Sequence, residues 1–184
     1  EDRSERYHRE DFRGLISFLE EHTGNKLDMD RLRGIMKETR KQDELACELF
    51  EMLRLTPSPI PAAYDLMLYG GKFMLSGLPQ FTELLESMVK KAKENMRKGI
   101  AGTTSGVEKA RGLFCYIDHY TGDARFWEFL NSQDISHLGS LLFTYWQSEM
   151  PYARGREKEG YSIDDSDLDS IIDSLAAQNS RMPM

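Results

Sequence analysis

The sequence is short of cysteine, of basic charge and of long apolar runs, and each shortage closes off a class of function. Two cysteines occur in 184 residues, Cys47 and Cys115, far apart and outside any Cys-x-x-Cys motif. A disulfide scaffold or a closed zinc site needs more thiols at closer spacing, so both are expected to be reduced, in the cytoplasm. The net charge of -7 and a pI of about 5.2 leave no concentrated basic surface to neutralise phosphates. No nucleic-acid partner is expected. No apolar run reaches the roughly 18 residues a spanning helix needs, and no basic-then-apolar signal segment opens the chain, so no membrane partner is expected either. The chain begins at Glu1 rather than Met, as a processed or trimmed piece would.

Apolar residues make up 40% of the chain, enough for a core, and they fall at helical spacing through its first half. Phe12, Leu15, Ile16 and Leu19 form one helix face that Thr23-Gly24 ends. Asp28 or Asp30 caps a second helix, near Asp28 to Leu55, with Leu32, Ile35, Met36, Leu45, Leu49, Met52 and Leu53 on its stripe. Pro57 and Pro59 forbid its continuation. Pro61 suits the first turn of a short third helix ending at Gly70-Gly71. The fourth is the clearest: Phe81, Leu84, Leu85, Met88, Val89, Ala92 and Met96 share a face from Pro79 to about Lys98. Its other face carries Lys90, Lys91, Lys93, Arg97 and Lys98, most simply a solvated surface, with contact to an anionic ligand as the alternative. "GIAGTTSG", Gly99 to Gly106, lacks the Lys-Ser/Thr ending of a phosphate loop and reads as a linker.

Beyond Gly106 the pattern changes. "GLFCYI" suits a buried strand, Asp123 caps a helix through Phe126, Trp127 and Leu130, and "GSLLFTYW" from Gly139 suits a second buried strand. Such an order is that of a strand-helix-strand unit with parallel strands. A last amphipathic helix carries Leu168, Ile171, Ile172, Leu175 and Ala176, with Asp164, Asp165, Asp167 and Asp169 near its positive end. The expected fold is α/β: an N-terminal helical region, residues 1–106, then a partial flavodoxin-like lobe, residues 107–184, whose parallel sheet is incomplete. Two buried parallel strands need neighbours, expected from polypeptide beyond Met184 or from another chain.

Ligands bind outside the carboxyl ends of parallel strands, which selects two polar, aromatic loops. One offers Cys115, Tyr116, Asp118, His119 and Tyr120; the other offers Trp146, Gln147, Ser148, Glu149 and Tyr152. The substrate-pocket candidates are Cys115, Tyr116, His119, Trp146 and Glu149. Each has a plainer reading: Cys115 as a small buried hydrophobe, His119 as a loop residue bonded to Asp118, Glu149 as solvation of a turn. Cys47, inside a helical stripe, reads as packing. Phe126, Trp127 and Phe129 at helical spacing read as core or interface.

The stretches "DFRGLISFLEEHTGNKLDMDRLRGIMKETRKQDELACELFEMLRLTPSPIPAAYDLMLYG", "RGLFCYIDHYTGDARFWEFL" and "LLFTYWQSEMPYARG" resemble the middle portion of subunits of the 2-hydroxyacyl-CoA dehydratase and benzoyl-CoA reductase family. Nearly the whole chain takes part. The resemblance implies a cytoplasmic, heterodimeric iron-sulfur lyase of amino acid fermentation, with two flavodoxin-like lobes per subunit and a helical region between them. A 4Fe-4S cluster, held largely by cysteines, would take an electron from an ATP-dependent activator, so that a ketyl radical forms on a CoA thioester and water leaves. The implied partners are a second dehydratase subunit, the electron-donating activator and the CoA-thioester substrate. The family's cluster cysteines lie before the helical region and beyond the two strands, and no cysteine here matches those positions. No cofactor or metal is therefore expected in this segment, and the piece alone is expected to be inert. Two other readings stand beside this one: a non-catalytic helical module pairing through methionine-rich faces, and a zinc hydrolase using Cys115, His119 and Glu149.

Overall fold

The computed structural model describes residues 3–114, 123–140 and 163–180. The elements are α1 (Arg3–Thr23), α2 (Met29–Leu53), α3 (Tyr64–Leu75), α4 (Pro79–Lys98), β1 (Ala110–Phe114), α5 (Ala124–Ser132), β2 (Ile135–Ser140) and α6 (Leu168–Ser180). The architecture is α/β, and the described residues are mostly helical with one open two-stranded parallel sheet among them. The described residues fall into two compact units, 3–36 with 163–180, and 37–114 with 123–140.

In the first unit α1 lies along α6. It starts at Arg3, well before the expected apolar stripe at Phe12. Its polar first turns show no hydrophobic period, and charge pairing holds them instead. Arg9 reaches Glu5 at 3.3 Å on its own helix and Asp173 of α6 at 2.7 Å. Asp167 caps α6 by accepting from the Ser170 N–H at 2.8 Å, and Ile171, Ile172 and Ala176 are buried. Of the two residues able to cap α2, Asp28 does so, accepting from the N–H groups of Asp30 and Arg31.

The second unit is built on α2 and α4. Glu38 meets Thr82, Lys41 meets Glu86 and Glu48 meets Lys93, so the two helices run in the same direction. Leu49, Phe81, Leu85 and Ala92 are fully buried between the packed elements. Polar side chains are buried with them, and Gln42 and Asn95 show how they are satisfied. Gln42 donates to the Leu78 carbonyl at 2.9 Å and accepts from the Gly77 N–H at 2.9 Å, while Asn95 donates to the Pro59 carbonyl at 3.0 Å. Helix α4 follows its sequence, with Pro79 in the first turn and Gly99 at φ 66° closing it.

Helix α3 does not stop at Gly70-Gly71 but continues to Leu75. Gly71 serves contact rather than termination: a Cβ there would stand 2.1 Å from a ring carbon of Phe81. The glycine costs about 1 kcal/mol of helix propensity, and the close aromatic contact offsets it. "GIAGTTSG" is a clamp rather than a loose linker. Gly102 donates to the Ser58 carbonyl at 2.9 Å, and a Cβ at that position would lie 2.2 Å from the Ile60 carbonyl carbon. Only glycine lets the two backbones approach so closely.

Strands β1 and β2 pair in parallel, Ala110 opposite Ile135, Gly112 opposite His137 and Phe114 opposite Ser140. Between them in sequence, α5 is capped by Asp123, which accepts from the Arg125 N–H at 3.0 Å. The second strand begins at Ile135, ahead of the expected Gly139, directly after Asp134 turns the chain at φ 61°. Its first residues include Ser136 and His137, which are buried although polar, so a search for apolar runs passes over them.

Candidate functional site

Parallel pairing brings both strands out on one sheet edge. Phe114 and Ser140 are register partners, so the described parts of β1 and β2 end side by side, at the position where parallel sheets bind ligands. The candidates Cys115, Tyr116, His119, Trp146 and Glu149 follow those ends and lie outside the described residues, as do Asp118, Tyr120, Gln147, Ser148 and Tyr152. The zinc set of Cys115, His119 and Glu149 lies there too.

Beneath that edge the described residues form a buried polar layer. His137 Nε2 lies 3.2 Å from Asp65 Oδ2, with the two side chains only 2% and 6% exposed. Asp65 stands in the first turn of α3, where the helix dipole favours a carboxylate. The Trp127 ring, fully buried on α5, packs 5.2 Å from the imidazole and joins Ala62 and Leu130 in one apolar cluster. The pair thus ties α3 to β2 from within. Removing either side chain would take a polar neighbour from a buried group, which costs more than the same change at the surface.

Two further carboxylates hold the strand entries. Glu108 accepts from the Ser58 N–H at 2.8 Å and from Arg111 Nε at 2.6 Å, and Arg111 also donates to the Leu55 carbonyl. Burial acts to raise the Glu108 pKa, but Arg111 and the Ser58 N–H outweigh it and hold the carboxyl below its ordinary range. Asp134 accepts from Lys109 Nζ at 2.8 Å and Ser105 Oγ at 2.7 Å, which likewise hold its carboxyl low. These groups fix the start of each strand and so the position of its far end. The sequence reading missed Asp65, Glu108 and His137, because their partners come from distant segments. The signal available for His137 was its place one step before Leu138-Gly139, within a strand begun at Ile135.

A family model described as 2-hydroxyglutaryl-CoA dehydratase, D-component, matches residues 1–184. The chain belongs to that family. It is therefore a 2-hydroxyacyl-CoA dehydratase subunit, a lyase component, and the name D-component implies a partner component. Neither the curated proteins nor the solved structures contain a match. No helix among the described residues of this dehydratase subunit is long and apolar enough to cross a membrane.

A 4Fe-4S cluster is ordinarily held by four cysteine thiolates. Cys47 is the one thiol among the described residues, and it is buried within α2. No group of three His, Cys, Asp or Glu side chains among the described residues of the dehydratase subunit could hold a metal ion. These residues do not fit such a cluster.

Proposed function

We propose that this chain is the central portion of a 2-hydroxyacyl-CoA dehydratase subunit, giving it helical packing, subunit contacts and one wall of the thioester pocket. The observation that carries this reading is the family match along all 184 residues of a chain whose parallel sheet has two strands among those described. In the parent, residues 1–106 form the helical region and residue 107 begins the flavodoxin-like lobe. The pocket wall is the edge beyond Phe114 and Ser140, with Cys115, Tyr116, His119, Trp146 and Glu149 as its side chains. The 4Fe-4S cluster, the second subunit and the ATP-dependent activator belong to the parent assembly in the cytoplasm. Ketyl-radical loss of water from a CoA thioester is the parent's chemistry, and none of the described side chains takes a step in it.

The chain alone should bind a 2-hydroxyacyl-CoA without dehydrating it. The test is an anaerobic assay of iron, acid-labile sulfide and dehydration with activator, run on the chain and on its longer parent, beside a thioester titration followed by tryptophan fluorescence. Activity confined to the parent, with a fluorescence response in the chain, is the expected result. Dehydration by the chain alone would contradict its role as a part. A silent titration would favour the non-catalytic module, which the exposure of Met67, Met74 and Met96 supports.

A further inference from the structure

Helices α2 and α4 leave a trough between them of about 450 Å³, floored by Leu45, Val89 and Met96. Its lining on α4 runs from Glu86 to Arg97, about 16 Å along the axis at 1.5 Å per residue. So small a volume spread over that length makes a shallow channel the width of one row of side chains. Sites for small ligands enclose most of the molecule, whereas a channel of this shape suits the ridge of a third helix.

The charges on the rim are unequally matched. Glu48 is held by Lys93 at 2.5 Å and Glu86 by Lys41 at 2.6 Å. Lys90 and Arg97, both exposed, have no ion pair among the described residues. The trough therefore presents an apolar floor with surplus positive charge toward the Arg97 end.

The chain carries a ridge of matching form. On α1, Asp11, Leu15, Phe18 and His22 follow the i, i+4, i+7, i+11 line of one helix face, with Leu19 beside it. Leu15, Phe18 and Leu19 are 54%, 54% and 48% exposed. Arg9 and Arg13, which pair with α6, stand roughly half a turn away, so this ridge is the side of α1 that α6 leaves uncovered. A helix apolar on two sides is built to be enclosed from both. From Asp11 to His22 is the same interval as from Glu86 to Arg97.

We propose that the trough seats helix α1 of a second copy of this chain, antiparallel to α4, with Leu15, Phe18 and Leu19 on the floor of Leu45, Val89 and Met96. The antiparallel direction follows from charge. It sets Asp11 against Arg97, while Glu21 approaches Lys90; the parallel direction would oppose Asp11 to Glu86. Exchanged reciprocally the contact closes a dimer, and exchanged one way it extends into longer assemblies.

Light scattering after size exclusion of the purified chain, from low to high micromolar concentration, should show self-association. Because Lys90 and Arg97 are exposed, Lys90→Glu combined with Arg97→Glu should leave the fold intact and weaken association about tenfold or more, and Asp11→Arg in the same chain should restore part of it. Equal amounts of a tagged Phe18→Cys chain and an untagged Met96→Cys chain should form a mixed disulfide under mild oxidation. A chain that stays monomeric throughout overturns the proposal. So does association that ignores the charge reversal and gives no mixed disulfide.

Discussion

Helices α1 and α4 are amphipathic and nearly equal in length, 21 and 20 residues, yet their surroundings differ. α4 buries Phe81, Thr82, Leu85, Met88, Val89, Ala92 and Asn95, whereas α1 buries none of its residues fully. A periodic stripe tells which side of a helix seeks a partner. It does not tell whether one packed neighbour or several will cover it. α4 is enclosed by neighbours that also answer its polar groups, and α1 is held along one side by α6 through Arg9–Asp173 and Arg13–Asp169. Stability in the second unit should accordingly rest on dry packing and buried hydrogen bonds, and stability in the first on charge at the surface.

The harshest test of that contrast is Trp127→Ala. The ring is fully buried beside His137, and its removal should cost the second unit about 3–5 kcal/mol. Hydrogen exchange followed by mass spectrometry should show faster exchange in peptides of α4 and β2, with α1 and α6 unchanged. If every peptide accelerates alike, the two units unfold as one and the contrast fails. Asn95→Ala comes next. It strips the Pro59 carbonyl of its side-chain donor in a buried setting, at about 1–3 kcal/mol. Protection should fall in α4 and in the 57–62 segment, and a surface-sized effect there would mean that water replaces the amide.

Much of the helical framework was legible in the sequence, because capping and periodicity are local. Asp28, Asp123 and Gly99 mark ends that the structure confirms by hydrogen bonds or a positive φ. The errors arose where a residue answers to a distant neighbour. Gly71 looks like a stop until the Phe81 ring is set against it, and Ser136 and His137 look like loop until α3 and α5 cover them. The shared edge of two parallel strands was legible too, since the strand-helix-strand order dictates it, while the candidate side chains beyond it lie outside the described residues. The polar layer below was not legible, for Asp65 and His137 become partners only when α3 lies over β2.

Acid should sharpen the picture further. Glu108 is held below the ordinary carboxylate range in the folded chain, so it contributes stability above its unfolded pKa, and that contribution disappears as pH falls through the lowered value. The urea midpoint of the second unit should decline as pH drops below the usual Glu range, and Glu108→Gln should flatten that decline while converging with the parent protein at the acid end. An unchanged slope would assign the acid sensitivity to another group.

The smallest effect is expected at Arg13. Its guanidinium lies 2.8 Å from Asp169 with both side chains well exposed, and the hydrogen bond to Asp169 raises its pKa further above an already high value. Stability from a raised pKa is present below the unfolded value, so for this group it is constant across the neutral range. pH therefore cannot probe it, but salt can, because exposed pairs are screened over about 8 Å at physiological ionic strength. Arg13→Ala should speed exchange in α1 slightly at low salt and not at all at high salt, while the effect of Asn95→Ala on α4 persists in both. An Arg13 effect that survives high salt would show that the side-chain stem packs on α6, and that the first unit too is held by contact more than by charge.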